Sequence, residues 1–533
     1  MVDTELDVVV IGAGFGGIYM VHQLREHGFS VRALEAGDGV GGTWYWNRYP
    51  GARCDVPSLE YSYGFSEALQ SEWEWTELMP AQAELERYLN HVVDRFDLRC
   101  DIQLRSRVTS AEFDEATARW DVGTEHGEHF SAAYVVLATG PLSTPIMPSI
   151  AGLDDFTGEL LHTARWPKDE FDARGKRVGI VGNGSSGVQV ATALAAEADE
   201  LFVLQRSPSF VWPVASGDMD PALQTAAKAQ YPELRRRQRE NFAGVAGFGG
   251  ALGQPQPRGA LLDATPAERK AAIDELGLNA ARAWSDVFTD PAANDLACDM
   301  YAEVVRGLVQ DPAVAARLSP REQIGCKRPV LSNQWFDMFN RENVTLVDLR
   351  DRPIERVVEH GVQLADGLLE LDVLVLATGF DAMTGAVSSI NPRGRDGMAI
   401  ADVWDDGPAT YQGLQAVGFP NLFMLVGPGS PSVLANMPVA LEQQGETVVE
   451  LLEYARQRGY RTVEPTAEAQ SDWMRHVDEL GVQSVFNRCD SWYVGANVGG
   501  KARKVLMYVG GLPGYIEKWR DTAGQEYPGF VFA

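Results

Sequence analysis

Two glycine-rich turns carry the clearest chemistry in this sequence. Gly12-Ala-Gly14-Phe-Gly-Gly17 follows the apolar run Leu6-Asp-Val-Val-Val-Ile11 and opens a stretch of helical spacing that stops at His27-Gly28. Gly182-Asn-Gly184-Ser185-Ser-Gly187 stands in the same way between Arg177-Val-Gly-Ile-Val181 and a helical stretch reaching Ala198. Glycine at these places lets the backbone approach a pyrophosphate, whose charge then rests on the amides of a helix N-terminus. One such turn can serve packing alone. Here there are two, and each unit is closed by an apolar strand ending in Ala-Thr-Gly: Tyr134-Val-Val-Leu-Ala-Thr-Gly140 and Val373-Leu-Val-Leu-Ala-Thr-Gly379. The repeat predicts two nucleotide-binding units.

The residue after the second strand of each unit distinguishes the ligands. Glu35, closing Val31-Arg-Ala-Leu-Glu35, can accept hydrogen bonds from a ribose diol and would repel a 2′-phosphate, which suits FAD or NAD. The matching place in the second unit reads Gln205-Arg206-Ser207, where a guanidinium can grip a phosphate with two N–H groups, which suits NADPH. FAD beside NADPH implies hydride transfer to a flavin.

Two further segments narrow the reading. Gly42-Thr43-Trp44-Tyr-Trp-Asn-Arg-Tyr49-Pro-Gly-Ala-Arg-Cys-Asp55 follows the first unit, and Phe156-Thr-Gly-Glu-Leu-Leu-His162-Thr-Ala-Arg-Trp166-Pro167 precedes the second. They resemble the two fingerprints of the type I Baeyer-Villiger monooxygenases, flavoenzymes that convert ketones to esters or lactones. Lys327-Arg328, Ala377-Thr-Gly-Phe-Asp381 and Ser491-Trp492-Tyr-Val-Gly-Ala-Asn497 extend the resemblance along the whole chain. Asn183 stands where the family usually has Thr, and Gly499-Gly500 where Pro-Gly is common.

The resemblance implies that NADPH reduces FAD, that dioxygen then gives a peroxyflavin, and that Arg328, held by Asp55, keeps this an anion able to attack a ketone. It further implies cofactor-binding roles for Thr43, Trp44, Ser185, Lys327 and Trp492, the last against the nicotinamide ribose, and an interdomain, mechanical role for His162, Trp166 and Pro167. The loop at 427–437 looks longer than in the cyclohexanone enzymes and more like the phenylacetone and steroid branch, which favours aromatic, linear or bulky polycyclic ketones. An N- or S-oxygenating flavin monooxygenase is the alternative, disfavoured by Trp166-Pro167 and Arg328. A disulfide reductase would need a CxxC or CxxxxC near the first unit, and there is none.

The elements that must position these residues form an α/β protein with two Rossmann-like dinucleotide-binding domains. The expected division is 1–144 with 380–533 for FAD, 145–212 with 326–379 for NADP, and 213–325 as a helical insertion. In the insertion, Thr265-Pro266, Asp290-Pro291, Asp311-Pro312 and Ser319-Pro320 read as capped helix starts, with Glu268 and Glu322 completing capping boxes. The glycine-rich stretch at 243–253 reads as a mobile loop.

A chain of 533 residues with 46 Lys and Arg against 74 Asp and Glu carries a net charge of −28, which argues against nucleic-acid or membrane-surface binding. A monomer or weak oligomer acting on a small-molecule ketone, with dioxygen, in the cytoplasm is expected, without signal peptide, membrane span or metal. The five cysteines are dispersed, so reduced thiols are expected rather than a disulfide framework. Gly495-Ala-Asn-Val-Gly-Gly-Lys501 imitates a P-loop, but Ala502 replaces the Ser/Thr that binds magnesium, and 504–509 reads as strand. Arg235-Arg-Arg-Gln-Arg239 reads as a solvated helix face.

Overall fold

The computed structural model describes residues 4–169, 171–247 and 258–533. The first glycine turn lies between β1 (Thr4–Ile11) and α1 (Phe15–Glu26), and the chain then enters β2 (Val31–Leu34). β3 (Ile102–Gln103), β4 (Val108–Asp114), β5 (Arg119–Thr124) and β6 (His129–Leu137) complete a sheet in the order β3-β2-β1-β6-β5-β4. β1 runs parallel to both neighbours, Val8 standing opposite Val31 and Tyr134. Val8, Val9 and Val10 are fully buried, which explains why the sequence shows an unbroken apolar run there instead of alternation. The chain later returns to this sheet, where Leu422–Met424 pairs in parallel with the end of β6.

The second sheet is wholly parallel. It contains β7 (Glu159–His162), β8 (Arg177–Val181), β9 (Glu200–Gln205), β10 (Val344–Asp348) and β11 (Val373–Leu376), in the order β10-β9-β8-β11-β7. α2 (Ser185–Leu194) follows its glycine turn, and β7 puts His162 opposite Leu376 on the edge. Each sheet has its own apolar core, one around Val10, Ile18 and Val136, the other around Val178, Ile180 and Val375.

Between β9 and β10 the chain is mainly helical: α3 (Pro221–Lys228), α4 (Tyr231–Glu240), α5 (Pro266–Leu276), α6 (Pro291–Leu308) and α7 (Pro312–Arg317). Thr265 and Glu268 form a reciprocal capping box, and Asp290 and Asp311 cap α6 and α7. The helix expected from Ser319-Pro320 is absent: the Ser319 hydroxyl donates back to the Ala315 carbonyl at 2.9 Å, and Glu322 is engaged by Lys327. The glycine-rich stretch falls partly outside the described residues.

Other expectations need correcting. Segment 504–509 is irregular rather than strand, because Leu506 donates to the Tyr493 carbonyl and Tyr508 to that of Ser430 while Leu506 and Met507 fill an apolar cluster. Only part of the Arg235–Arg239 run is solvated. Arg235 bonds Gln70, Gln238 and Ser62, and Arg239 pairs with Glu446, its guanidinium also lying 3.7 Å from buried Glu442. Two of the five cysteines are joined: Cys326 and Cys489 form a disulfide with Cα atoms 5.9 Å apart across 163 residues of sequence. Spacing could not show this, since the fold alone brings the two segments together. Among the described residues no helix is long and apolar enough to cross a membrane, and no cluster suits a metal ion.

Candidate active site

The two glycine turns have the same geometry. A Cβ on Gly17 would lie 1.9 Å from the Gly12 carbonyl oxygen, and one on Gly187 would lie 2.2 Å from that of Gly182. Gly12 and Gly182 both sit at φ +106°, a backbone shape that side chains resist. Helix and strand therefore meet at a distance only glycine permits. α1 and α2 start from Gly14 and Gly184, neither offering a side-chain cap, so their first amides are left for an anion. A Cβ on Gly184 would meet nothing within 4 Å, so the space before α2 is open. In the first unit a cleft runs over Gly14, Glu35, Thr43 and Trp44 towards Tyr61, Val426 and Leu441. These features fit a dinucleotide on each unit.

Glu35 is 4% exposed and anchors its own turn, its oxygens accepting from Ala13 N and Gly37 N, each at 2.8 Å. Burial raises the carboxyl's pKa, and the two amide bonds oppose that rise by favouring the charged form. Glu35 thus shapes the turn and also lines the cleft. Arg206, directly after β9, is exposed and has no described carboxylate within ion-pair distance.

The departure at Asn183 has a structural meaning. Its Nδ2 donates to Gln205 Oε1 at 2.9 Å and to the Ser207 carbonyl at 3.0 Å, so it clamps the glycine turn to the strand end that carries Arg206 and Ser207. An Arg206→Ala variant is expected to raise the KM for NADPH about ten- to a hundredfold while barely moving that for NADH, the range expected for losing charge-assisted hydrogen bonds. Asn183→Ala should move the same ratio in the same direction by about threefold to tenfold. Parallel steady-state titrations with both nucleotides check this.

The first fingerprint joins the two units. The Tyr49 hydroxyl donates to Gln189 Oε1 on α2 at 2.8 Å, Gln189 Nε2 donates to the Arg53 carbonyl at 3.1 Å, and Gly51 (φ +80°) packs against the Gln189 backbone. Asp55 follows at this junction. Its Oδ2 accepts from both Nε and Nη2 of Arg328, at 3.1 and 2.5 Å, while Arg328 Nη1 donates to the Val433 carbonyl at 3.0 Å. Arg328 is largely enclosed, with 30% of its side chain accessible. The Asp55 charge beside it pushes its pKa further up, so it is a permanent cation.

Tyr493, 2% exposed, has its hydroxyl against the same guanidinium. Burial raises this phenol and the neighbouring Cys54 thiol, which keeps both neutral. Val433, Tyr493, Leu506 and Met507, with Trp492 and Leu434 packed against them, form an apolar wall around the charge. A fixed cation with an apolar surround suits stabilisation of negative charge developing on oxygen. Val426, a β-branched residue at φ +51°, carries the cleft wall towards this point, held by Gln444 and Ser432.

His162 serves the second sheet. Ala164 N donates to its Nδ1 at 3.0 Å, so the proton sits on Nε2, which donates to Thr378 Oγ1 at 3.2 Å in the second Ala-Thr-Gly turn. Burial lowers its pKa. The unfolded chain therefore binds this proton first as pH falls through about 6.5, and the stability due to neutral His162 is lost on the acid side. His162→Gln can keep both bonds without titrating, so its melting temperature should fall less than that of the wild type between pH 7.5 and 5.5 in differential scanning calorimetry. His22 and His476, shifted in the same direction, preserve part of the acid sensitivity. Trp166 is buried edge-to-face against Phe171, Pro167 is exposed, and Arg165 stacks over Trp46 in the cleft wall.

The structure thus brings Asp55, Arg328, Lys327 and Trp492 into one region and leaves Arg206 and Ser207 at the second unit's strand end. Lys327 is paired with Glu322 at 2.7 Å. Tyr493, Asn183 and Gln189 had no role in the sequence reading. Tyr493 could have been suspected from its place next to Trp492, and Asn183 from its departure in a motif, whereas Gln189 left no signal.

Comparison with known proteins agrees with this geometry. Residues 6–237 match the family model described as pyridine nucleotide-disulphide oxidoreductase. The chain is 40% identical to acetone monooxygenase (methyl acetate-forming) of Gordonia sp. (strain TY-5), with all of both chains covered. It is 38% identical to phenazine N-monooxygenase PhzNO1 of Lysobacter antibioticus, covering 99% of this chain and 97% of that one. Among solved structures, oxidized steroid monooxygenase bound to NADP superposes with a TM-score of 0.91 at 44% identity, 99% of each chain being covered. With full-length relatives of this similarity and a paired Arg328 and Asp55 between two dinucleotide-type folds, the chain belongs to the Baeyer-Villiger monooxygenase family.

Proposed function

We propose that the protein is an NADPH- and dioxygen-dependent FAD enzyme that inserts one oxygen atom beside a ketone carbonyl to give an ester or lactone. When bound, NADPH supplies hydride, and FAD passes the electrons to dioxygen and delivers one oxygen atom. The observation that carries the reading is Arg328, fixed by Asp55 and the Val433 carbonyl where the units meet. It cannot give up its proton, so its part is to hold negative charge on oxygen as the carbonyl is attacked. Asp55 sets its direction. Apolar Val433, Tyr493 and Met507 limit water and strengthen that interaction.

The first unit, with Glu35, Thr43 and Trp44, is the FAD site in this reading. The second, with Ser185, Arg206 and Ser207, is the NADPH site, and Lys327 and Trp492 reach the nicotinamide end. The loop at 427–437 and the apolar cluster beside it support linear, aromatic or bulky ketones over small rings. The test is a panel of such ketones, with cyclohexanone and a heteroaromatic amine, given to the yellow protein with NADPH and air and read by mass spectrometry. Ketone products heavier by one oxygen are expected. N-oxide with the ketones untouched would overturn the reading, and cyclohexanone as best substrate by a wide margin would overturn the ketone preference.

A further inference from the structure

The Cys326–Cys489 disulfide lies where the proposed catalytic cation and the Trp492 segment meet. Cys326 directly precedes Lys327 and Arg328, and Cys489 stands three residues before Trp492. We propose that this pair is a redox-modifiable site: closed, it staples the 322–328 segment to the 485–494 segment and so holds Tyr493 against Arg328 with Trp492 packed on it, and open, it releases them. The proposal rests on the reading above only for its effect on nucleotide.

Among the described residues the other ties between these segments are short polar and packing contacts: Arg488 donates to Gln323 Oε1 at 3.0 Å, Val485 packs on Gly325, and the Tyr493 hydroxyl lies against Arg328, while Arg488 also reaches the Thr289 carbonyl at 3.3 Å. Segment 485–494 has only two short 3-10 turns, Val485–Arg488 and Trp492–Val494, and Asn487, Arg488 and Asp490 are exposed. A cross-link between residues so far apart in sequence strongly restricts how the two segments can separate.

The two sulfurs differ in access. Cys326 is 1% exposed, whereas Cys489 is half-buried between exposed Arg488 and Asp490. An external thiolate can therefore attack Cys489 Sγ. The disulfide breaks, Cys326 leaves as thiolate and takes a proton, and a second thiol releases Cys489 as the external disulfide forms. Two external thiols are oxidised and the protein bond gains two electrons.

Hydrogen peroxide, the product of NADPH oxidation without oxygen insertion, can close the bond again. Cys489 thiolate attacks one peroxide oxygen to give a sulfenic acid and hydroxide, which takes a proton to become water; Cys326 then attacks that sulfur and a second water leaves. Two thiols and one peroxide become one disulfide and two waters.

The experiment uses the full-length flavoprotein, in air, after hydrogen peroxide and after dithiothreitol. Alkylation and non-reducing peptide mapping should show Cys326 linked to Cys489 in the first two samples and both alkylated in the third, with Cys54, Cys100 and Cys298 alkylated after denaturation in all. Amide hydrogen exchange of 485–494 should quicken on reduction, and the Kd for NADP+ should rise about threefold to tenfold. Cys326→Ser and Cys489→Ser should show the weakened binding from the start and no further response to dithiothreitol.

Free Cys326 and Cys489 after peroxide, exchange of 485–494 unchanged by reduction, or an undiminished dithiothreitol response in Cys489→Ser would each overturn the proposal. Correct linkage and exchange with no NADP+ binding in any sample would uphold the redox site and sink the nucleotide assignment instead.

Discussion

An Arg328→Ala enzyme is expected to go on oxidising NADPH while making ester about a hundred- to a thousandfold more slowly, the usual effect of removing one preorganised charge stabiliser. The oxygen it consumes should appear as hydrogen peroxide. The separation follows from position: Arg206, which pairs with no described carboxylate, lies on the far strand end of the second unit and is untouched by the substitution. The fold should survive, because Asp55 keeps 31% of its side chain accessible and water can take the place of the guanidinium.

Arg328→Lys restores charge but cannot span both Asp55 Oδ2 and the Val433 carbonyl, so partial recovery is expected. Asp55→Ala should lose ester in the same direction by a smaller factor, through a misdirected Arg328. Stopped-flow spectra with product analysis check the set. Unchanged ester rate and yield in Arg328→Ala would remove the residue from the chemistry.

The second large effect lies in the glycine turns. Gly17→Ala should yield protein without yellow colour or unfolded, since the new methyl group would stand 1.9 Å from the Gly12 carbonyl oxygen and force α1 off β1. Gly184→Ala has space for its methyl group and an ordinary backbone shape, φ −72°. It should fold, keep its flavin and lose NADPH affinity about tenfold or more, because the space it fills is the one assigned to the pyrophosphate. The ratio of absorbance at 450 and 280 nm after gel filtration and the KM for NADPH separate the two. A Gly184→Ala enzyme with wild-type KM would place the nucleotide elsewhere.

Much of the scaffold was legible because its signals are local. The turn Gly12 to Gly17 and the places of Glu35 and Arg206, each just after the second strand of its own unit, are set by short-range spacing, so the sequence shows where they stand. The same holds for the Thr265 and Glu268 capping box. Asp55 with Arg328 is different. Their contact spans 273 residues, so no spacing rule reaches it, and family resemblance alone joined them.

The Cys326–Cys489 bond failed for the same reason, with no motif to help. Ser319-Pro320 misled because a local capping pattern lost to tertiary demands: Lys327 takes Glu322, and Ser319 serves the preceding helix. Segment 504–509 misled because its apolar residues fill an irregular core and not a sheet. The Arg235–Arg239 run hid a buried acid, Glu442, that only the packing of α4 on Met437–Arg458 reveals.

The central claim, that one atom of dioxygen enters a carbon–carbon bond beside a ketone carbonyl, is tested most directly with isotopic oxygen. Purified flavoprotein, NADPH and a linear or aryl ketone under 18O-labelled dioxygen should give an ester labelled with one heavy atom in its bridging oxygen and none in its carbonyl. Unlabelled ester, or labelled peroxide as the sole oxygen product across the ketone panel, would contradict the account.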